Sequence, residues 1–227
     1  MTTLPPISPE KVSLNHIRAL IGVNARVILE IGAHHGWHTA WFLKTFPNAT
    51  IYAFEPEPRA ITNFKASISD PRIHLQEMAV GATDGEAKFY VSSGLPPNLS
   101  PADAAIAYPQ GWDQSGSLRV PKTHKIVWPW CKFEGAGAVK VRRLDTWARE
   151  NGIGPVDLIW ADTQGAEGDL ISGGHETLAR TRYLYTEYSN DEWYEGQPTL
   201  AQLMEMLPNF TVLKRYKDDV LLKNNSN

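Results

Sequence analysis

From Val27 onward the chain alternates short apolar runs with stretches whose apolar residues recur at helical spacing, the pattern of βαβ units on a mostly parallel sheet. Strands are expected at 27–31, 51–54, 73–76, 156–161 and 183–188, with helices near 37–46, 57–69, 145–151 and 166–179. Thr211 to Tyr216 and Val220 to Lys223, joined by Lys217-Asp218-Asp219, read as a closing hairpin. These elements predict an α/β, Rossmann-like fold.

The first 25 residues differ in character. Ser8-Pro9-Glu10 reads as a helix start, and Val12, Ile17, Leu20 and Ile21 make a short apolar stripe. Such a helix would cover the sheet or one side of a ligand mouth; an arm for a homo-oligomer is the alternative. Residues 26–227 are expected to form one domain. Within it, 93–138 breaks the rhythm with Pro96, Pro97, Pro101, Pro109, Pro121 and Pro129 and the aromatics Tyr108, Trp112, Trp128, Trp130 and Phe133. Irregular chain of that length inside a compact domain is more often a functional lid than a connection, so it is read as a substrate-recognition insertion. A plain cover over apolar sheet is the competing reading.

Composition narrows the class. The 227 residues are 42% hydrophobic and 21% charged, ordinary for a globular enzyme, and the net charge of −3 gives no basic footprint for nucleic acid or anionic membrane. Cys131 stands alone, so no internal disulfide forms. Met1-Thr2-Thr3-Leu4-Pro5-Pro6 has neither the basic region nor the apolar run of a signal peptide, and no stretch approaches the ~18 apolar residues of a membrane span. The cytoplasm is the expected compartment.

Candidate chemistry begins at Val27-Ile28-Leu29-Glu30-Ile31-Gly32-Ala33-His34-His35-Gly36, an apolar strand ending in an acid and two close glycines. Ile51-Tyr52-Ala53-Phe54-Glu55 repeats the theme, and a carboxylate ending a second strand is how Rossmann-like units take a ribose diol. A dinucleotide turn needs glycine at i, i+2 and i+5, whereas Gly32 is followed there by His34 and Trp37. Nicotinamide and flavin dinucleotides are thereby disfavoured, and another nucleoside-bearing cofactor is expected.

Acid-x-Gly-x-x-x-Gly with an acid downstream resembles the first two motifs of S-adenosylmethionine-dependent class I methyltransferases. Leu144-Asp145-Thr146-Trp147, then Val156 to Glu167 with Asp162-Thr163-Gln164-Gly165-Ala166-Glu167, then Gly173 or Gly174 and Leu178, resembles the FkbM-type family within that class. The likeness covers about 26–92 and 139–190, and Gln164 departs where the family usually has Glu. It implies O-methylation of a sugar, glycan or secondary metabolite. An N- or protein-side-chain methyltransferase, or a lapsed cofactor-binding scaffold hinted at by Gln164, are the alternatives.

On that resemblance Glu30, Gly32, Ala33, His35 and Gly36 form the methionine side of the cofactor site, Glu55 and Pro56 the ribose side, and Glu77, Met78 and Ala79 the adenine side. Asp162, ending the fourth strand, is the candidate that takes a proton from the acceptor hydroxyl, and it borders the cofactor too. His124 and Glu187 are further acid–base candidates. Asp162, Glu187 and Asn190 would make an oxygen site for Mg²⁺. Trp112, Trp128, Trp130, Gln164 and Glu167 are assigned to the acceptor. His34, His35 and His38 suggest zinc weakly, because no acid or Cys lies at the usual spacing.

Overall fold

The computed structural model describes residues 4–8 and 12–226. Helix α1 (Leu14–Ile21) precedes β1 (Val27–Ile31), α2 (Trp37–Thr45), β2 (Thr50–Phe54), α3 (Pro58–Ser67) and β3 (Ile73–Gln76). A second group follows: β4 (Ala79–Val80), β5 (Gly85–Ser93), α4 (Pro101–Ala107), α5 (Thr123–Val127) and β6 (Lys132–Arg142). The chain then runs through α6 (Leu144–Glu150), β7 (Val156–Ala161), α7 (Glu167–Gly173), α8 (His175–Ala179), β8 (Thr181–Glu187), α9 (Leu200–Met206), β9 (Phe210–Arg215) and β10 (Asp219–Asn224).

Seven strands form the main sheet in the order β3-β2-β1-β7-β8-β10-β9. The first five are parallel, and β10 runs antiparallel to both β8 and β9. This is the expected Rossmann-like arrangement. Because β1 pairs with β2 on one side and β7 on the other, the chain reverses its direction of build at β1. The carboxyl ends of β1, β2 and β7 therefore open on one crevice.

Side chains alternate across each strand, so the two faces separate cleanly. Ile28, Ile51, Leu158 and Trp160 pack with Ile17 and Ile21 of α1 and Phe42 of α2. Leu29, Ile31, Phe54 and Ile159 pack on the other face with Leu144, Trp147, Leu170, Leu178 and Leu203 of α6 to α9. The apolar stripe of the N-terminal segment is thus a sheet cover. Its helix starts later than expected: Ser13 is the N-cap, and its side chain accepts from the His16 N–H. Of Ser8-Pro9-Glu10, the last two lie outside the described residues, while the Ser8 N–H donates to the Arg215 carbonyl at 2.7 Å.

The stretch at 93–138 is more regular than its prolines suggest. β5 and β6 pair as a long antiparallel ladder, with β4 alongside β6 in a separate three-stranded sheet. Residues 94–131 leave from the end of β5, carry α4 and α5, and return into β6. Pro121 bridges to Tyr194, and the Lys122 N–H donates to the Trp193 carbonyl at 2.8 Å, so this segment docks on the loop after β8.

Candidate functional site

Two turns meet at the crevice. After β1 the chain passes through Gly32 at φ 89° and His34 at φ 49°; after β7 it passes through Gln164 at φ 52° and Gly165 at φ 93°. His34 and Gln164 are the only non-glycine residues at positive φ among those described, and strain of this kind gathers where a surrounding structure holds a site in place. Gly32 is required by contact: a Cβ there would lie 1.9 Å from the Asp162 carbonyl oxygen. At Gly36 (φ 85°) a Cβ would lie 2.5 Å from Ile68, so this glycine serves the packing of α2 on α3.

A cavity of about 540 Å³ lies over these turns. Its floor is Gly32, Ala33, Phe54, Glu55, Pro56, Met78, Ala79 and Asp162, and its roof is Trp112, Asp113, Ser115, Leu118, His124 and Trp128 from the insertion. One space therefore joins the carboxyl edge of the sheet to the underside of the insertion. Its size and largely apolar lining suit a small-molecule site.

Glu55 is held at the end of β2 by two backbone donors, His34 N–H to Oε2 at 2.7 Å and Glu57 N–H to Oε1 at 2.9 Å. Each oxygen keeps a lone pair for a further donor. Burial pushes its pKa up to about 7, against the pull of those N–H groups. Glu30 lies deeper and does not border the cavity. The Thr39 hydroxyl donates to its Oε2, its Oε1 has no partner among the described residues, and burial raises its pKa to about 8.

At the other turn the Gln164 amide donates to Asp162 Oδ1 at 2.6 Å and reaches Glu187 Oε2 at 3.3 Å. The Tyr194 hydroxyl lies 3.0 Å from Gln164 Oε1, which fixes the amide's orientation. Glu187 is half-buried at the end of β8, and its desolvation together with the charge of Asp162 holds its pKa well above the usual carboxylate range. A glutamate at 164 would add a third acid; the neutral amide instead donates to both neighbours. Glu167 is a turn-former: its Oε1 accepts from the Thr163 hydroxyl at 2.8 Å and the Gly165 N–H at 3.2 Å.

Several expected residues fall elsewhere. Glu77 pairs with Lys65 at 2.6 Å in an open groove beside α3, so only Met78 and Ala79 reach the cavity. His35 turns from the Gly32–Gly36 turn toward Asp113. Trp130 does not line the cavity and stands edge-on to Trp112 at 5.2 Å. Asn190 is exposed and outside the cavity, and the Gln164 amide sits between Asp162 and Glu187; this arrangement gives the Mg²⁺ expectation no support. His124 is buried against Trp128, Phe133 and Tyr194, and burial lowers its pKa to about 4, so near neutrality it is an uncharged hydrogen-bonding group and a weak base. Sequence reasoning passed over Trp37 at the cavity mouth, and it also passed over Asp113.

This sheet order, with a cavity across the carboxyl ends of β1, β2 and β7, is the class I methyltransferase architecture. Residues 30–217 match the Methyltransferase FkbM domain model, and the chain belongs to that family of S-adenosylmethionine-dependent methyltransferases. It is similar to the 2-O-methyltransferase NoeI of Sinorhizobium fredii, with 41% identity over 203 residues, 87% of this chain and 79% of that protein. It is also 25% identical over 175 residues to the AMB antimetabolite synthetase AmbE of Pseudomonas aeruginosa, of which it spans 8%. Among solved structures, an rRNA methylase from Streptococcus thermophilus is similar over 92% of both chains at 11% identity, with a TM-score of 0.47. Among the described residues, no helix is long and apolar enough to cross a membrane.

Proposed function

We propose that this chain transfers a methyl group from S-adenosylmethionine to a hydroxyl of a sugar, glycan or related small-molecule acceptor. The observation that carries the reading is the single cavity joining the Gly32–Glu55–Asp162 edge to the aromatic underside of residues 94–131. The likeness to a 2-O-methyltransferase supports oxygen as the atom methylated.

The residues present fit the cofactor. Glu55 offers acceptor lone pairs to the ribose diol, Met78 and Ala79 offer an apolar wall to adenine, and the Gly32–Ala33 turn leaves the cavity floor open for the methionine portion. When bound, S-adenosylmethionine supplies an electrophilic sulfonium methyl. Asp162 accepts the acceptor hydroxyl's proton as its oxygen gains the methyl, leaving S-adenosylhomocysteine and a methyl ether. Gln164 orients Asp162, and Glu187 beneath it favours its protonated form, so the acid group carries less negative charge than its formal count. Trp112 and Trp128 give faces on which a sugar ring can pack, and neutral His124 can fix one of its hydroxyls. Gln164 therefore serves the site and is no mark of lapsed catalysis.

The test is incubation with methyl-labelled S-adenosylmethionine and cell extract divided into glycan, small-molecule and protein fractions. Label in the glycan or small-molecule fraction, stable to the base that cleaves esters, is expected. Label confined to protein overturns the proposal.

A further inference from the structure

The turn after β1 presents two adjacent histidines to an acid 78 residues away. His34 Nε2 lies 2.8 Å from Asp113 Oδ1 and His35 Nε2 lies 2.7 Å from Asp113 Oδ2, with the two rings stacked at 3.7 Å. One ligand atom from each residue falls within 4.8 Å of the other two. Asp113 is buried, while both imidazoles are about a quarter exposed, so the cluster has a fixed anion and a route in from solvent.

We propose that His34, His35 and Asp113 form a binding site for a divalent transition-metal ion, which clasps the insertion to the cofactor turn. Two imidazole nitrogens and one carboxylate are the donor set preferred by Zn²⁺ and Co²⁺, whereas Mg²⁺ and Ca²⁺ want oxygens throughout. Ion–nitrogen bonds of ~2.0–2.1 Å around a tetrahedral centre need donor atoms a little over 3 Å apart, so each histidine–Asp113 contact must lengthen by only about half an ångström. Asn63 Nδ2 lies 3.0 Å from the same His35 nitrogen that faces Asp113, so an ion bound at that nitrogen displaces the Asn63 contact. Three protein ligands leave a fourth position, and His34 and Asp113 both border the cavity.

The site also links two functions. The His34 main chain holds Glu55, its ring holds Asp113, and Asp113 belongs to the cavity roof. A metal here would fasten roof to floor at the cofactor's edge without touching Asp162.

Full-length protein stripped with chelator and desalted is titrated with Zn²⁺ by calorimetry and with Co²⁺ by visible absorption. One saturable equivalent is expected, with cobalt d–d bands of a low-coordinate site and no matching heat from Mg²⁺. His35→Ala and Asp113→Asn should each weaken binding by more than about 100-fold, the upper limit for an outer partner. At a hundredfold excess over Kd the ion should raise the melting temperature by about 5–10 °C. Should the ligand variants fail to fold, wild-type protein answers by itself: bound Zn²⁺ must protect the peptide holding His34 and His35 from carbethoxylation by diethyl pyrocarbonate. Absence of saturable Zn²⁺ and Co²⁺ binding, undiminished binding in folded His35→Ala and Asp113→Asn, or an unprotected peptide each overturns the proposal.

Discussion

The backbone N–H of His34 donates to Glu55 Oε2 at 2.7 Å, so the turn after β1 positions the acid at the end of β2. Backbone donors hold a carboxylate without using side chains, and Glu55 keeps acceptor capacity on the cavity side. Replacing Glu55 by Ala should remove charge-assisted hydrogen bonds to the ribose and cut affinity for S-adenosylhomocysteine by roughly 2–3 kcal/mol. Calorimetry on the folded variant decides it, and unchanged affinity would take Glu55 out of the cofactor site.

Asp162→Asn keeps the shape of the side chain and abolishes its basicity. Turnover should fall by about 10²–10⁴-fold with little change in cofactor affinity, because the residue acts on the acceptor's proton. Gln164→Ala, which frees Asp162 to rotate, should give a smaller loss in kcat. Steady-state kinetics with calorimetry on the same preparations separates the two, and full turnover by Asp162→Asn would discard the base assignment.

Parts of the fold and site were legible in the sequence for a physical reason. β1, β2, β7 and β8 are mostly buried runs bounded by turn residues, and Glu55 and Asp162 stand just past strand ends, where ligands of such sheets collect. β6 was missed because Gly135-Ala136-Gly137-Ala138 is exposed on both faces and carries neither alternation nor β-branched residues. Glu77 was misplaced by one step of chain: past Gln76 it turns out to Lys65 while Met78 turns in. No local spacing could announce Asp113 as the partner of His34 and His35, since the docking of the insertion alone brings them together.

Glu30 gives stability a distinctive pH dependence. Burial raises its folded pKa from 4.5 to about 8, so between these values the folded state holds a proton that the unfolded chain has released. Stability must therefore fall as pH rises through that window, by on the order of 1.4 kcal/mol for each pH unit crossed. Glu55, raised to about 7, adds to the same trend. Glu30→Gln keeps an acceptor for Thr39 and cannot ionise, so it should be the more stable protein at pH 8 and show a shallower slope. Urea midpoints measured from pH 5 to 8 test this, and parallel profiles for the two proteins would refute it.

Trp128 should belong to acceptor binding more than to folding. It is 43% exposed, lines the cavity, and stacks on Trp193 at 4.7 Å with His124 edge-on at 4.8 Å. Truncating a core tryptophan costs ~3–5 kcal/mol, but a ring with this much open face loses far less on Trp128→Ala. The variant should melt close to wild type, bind S-adenosylhomocysteine normally, and show a raised acceptor KM, or a lowered kcat if roof closure suffers. Trp130→Ala is the contrast, because Trp130 reaches the cavity only through Trp112 and its loss should act on packing. Wild-type acceptor kinetics in Trp128→Ala, accompanied by a large fall in melting temperature, would show these aromatics to be structural cover, and the acceptor would have to be sought against another wall of the cavity.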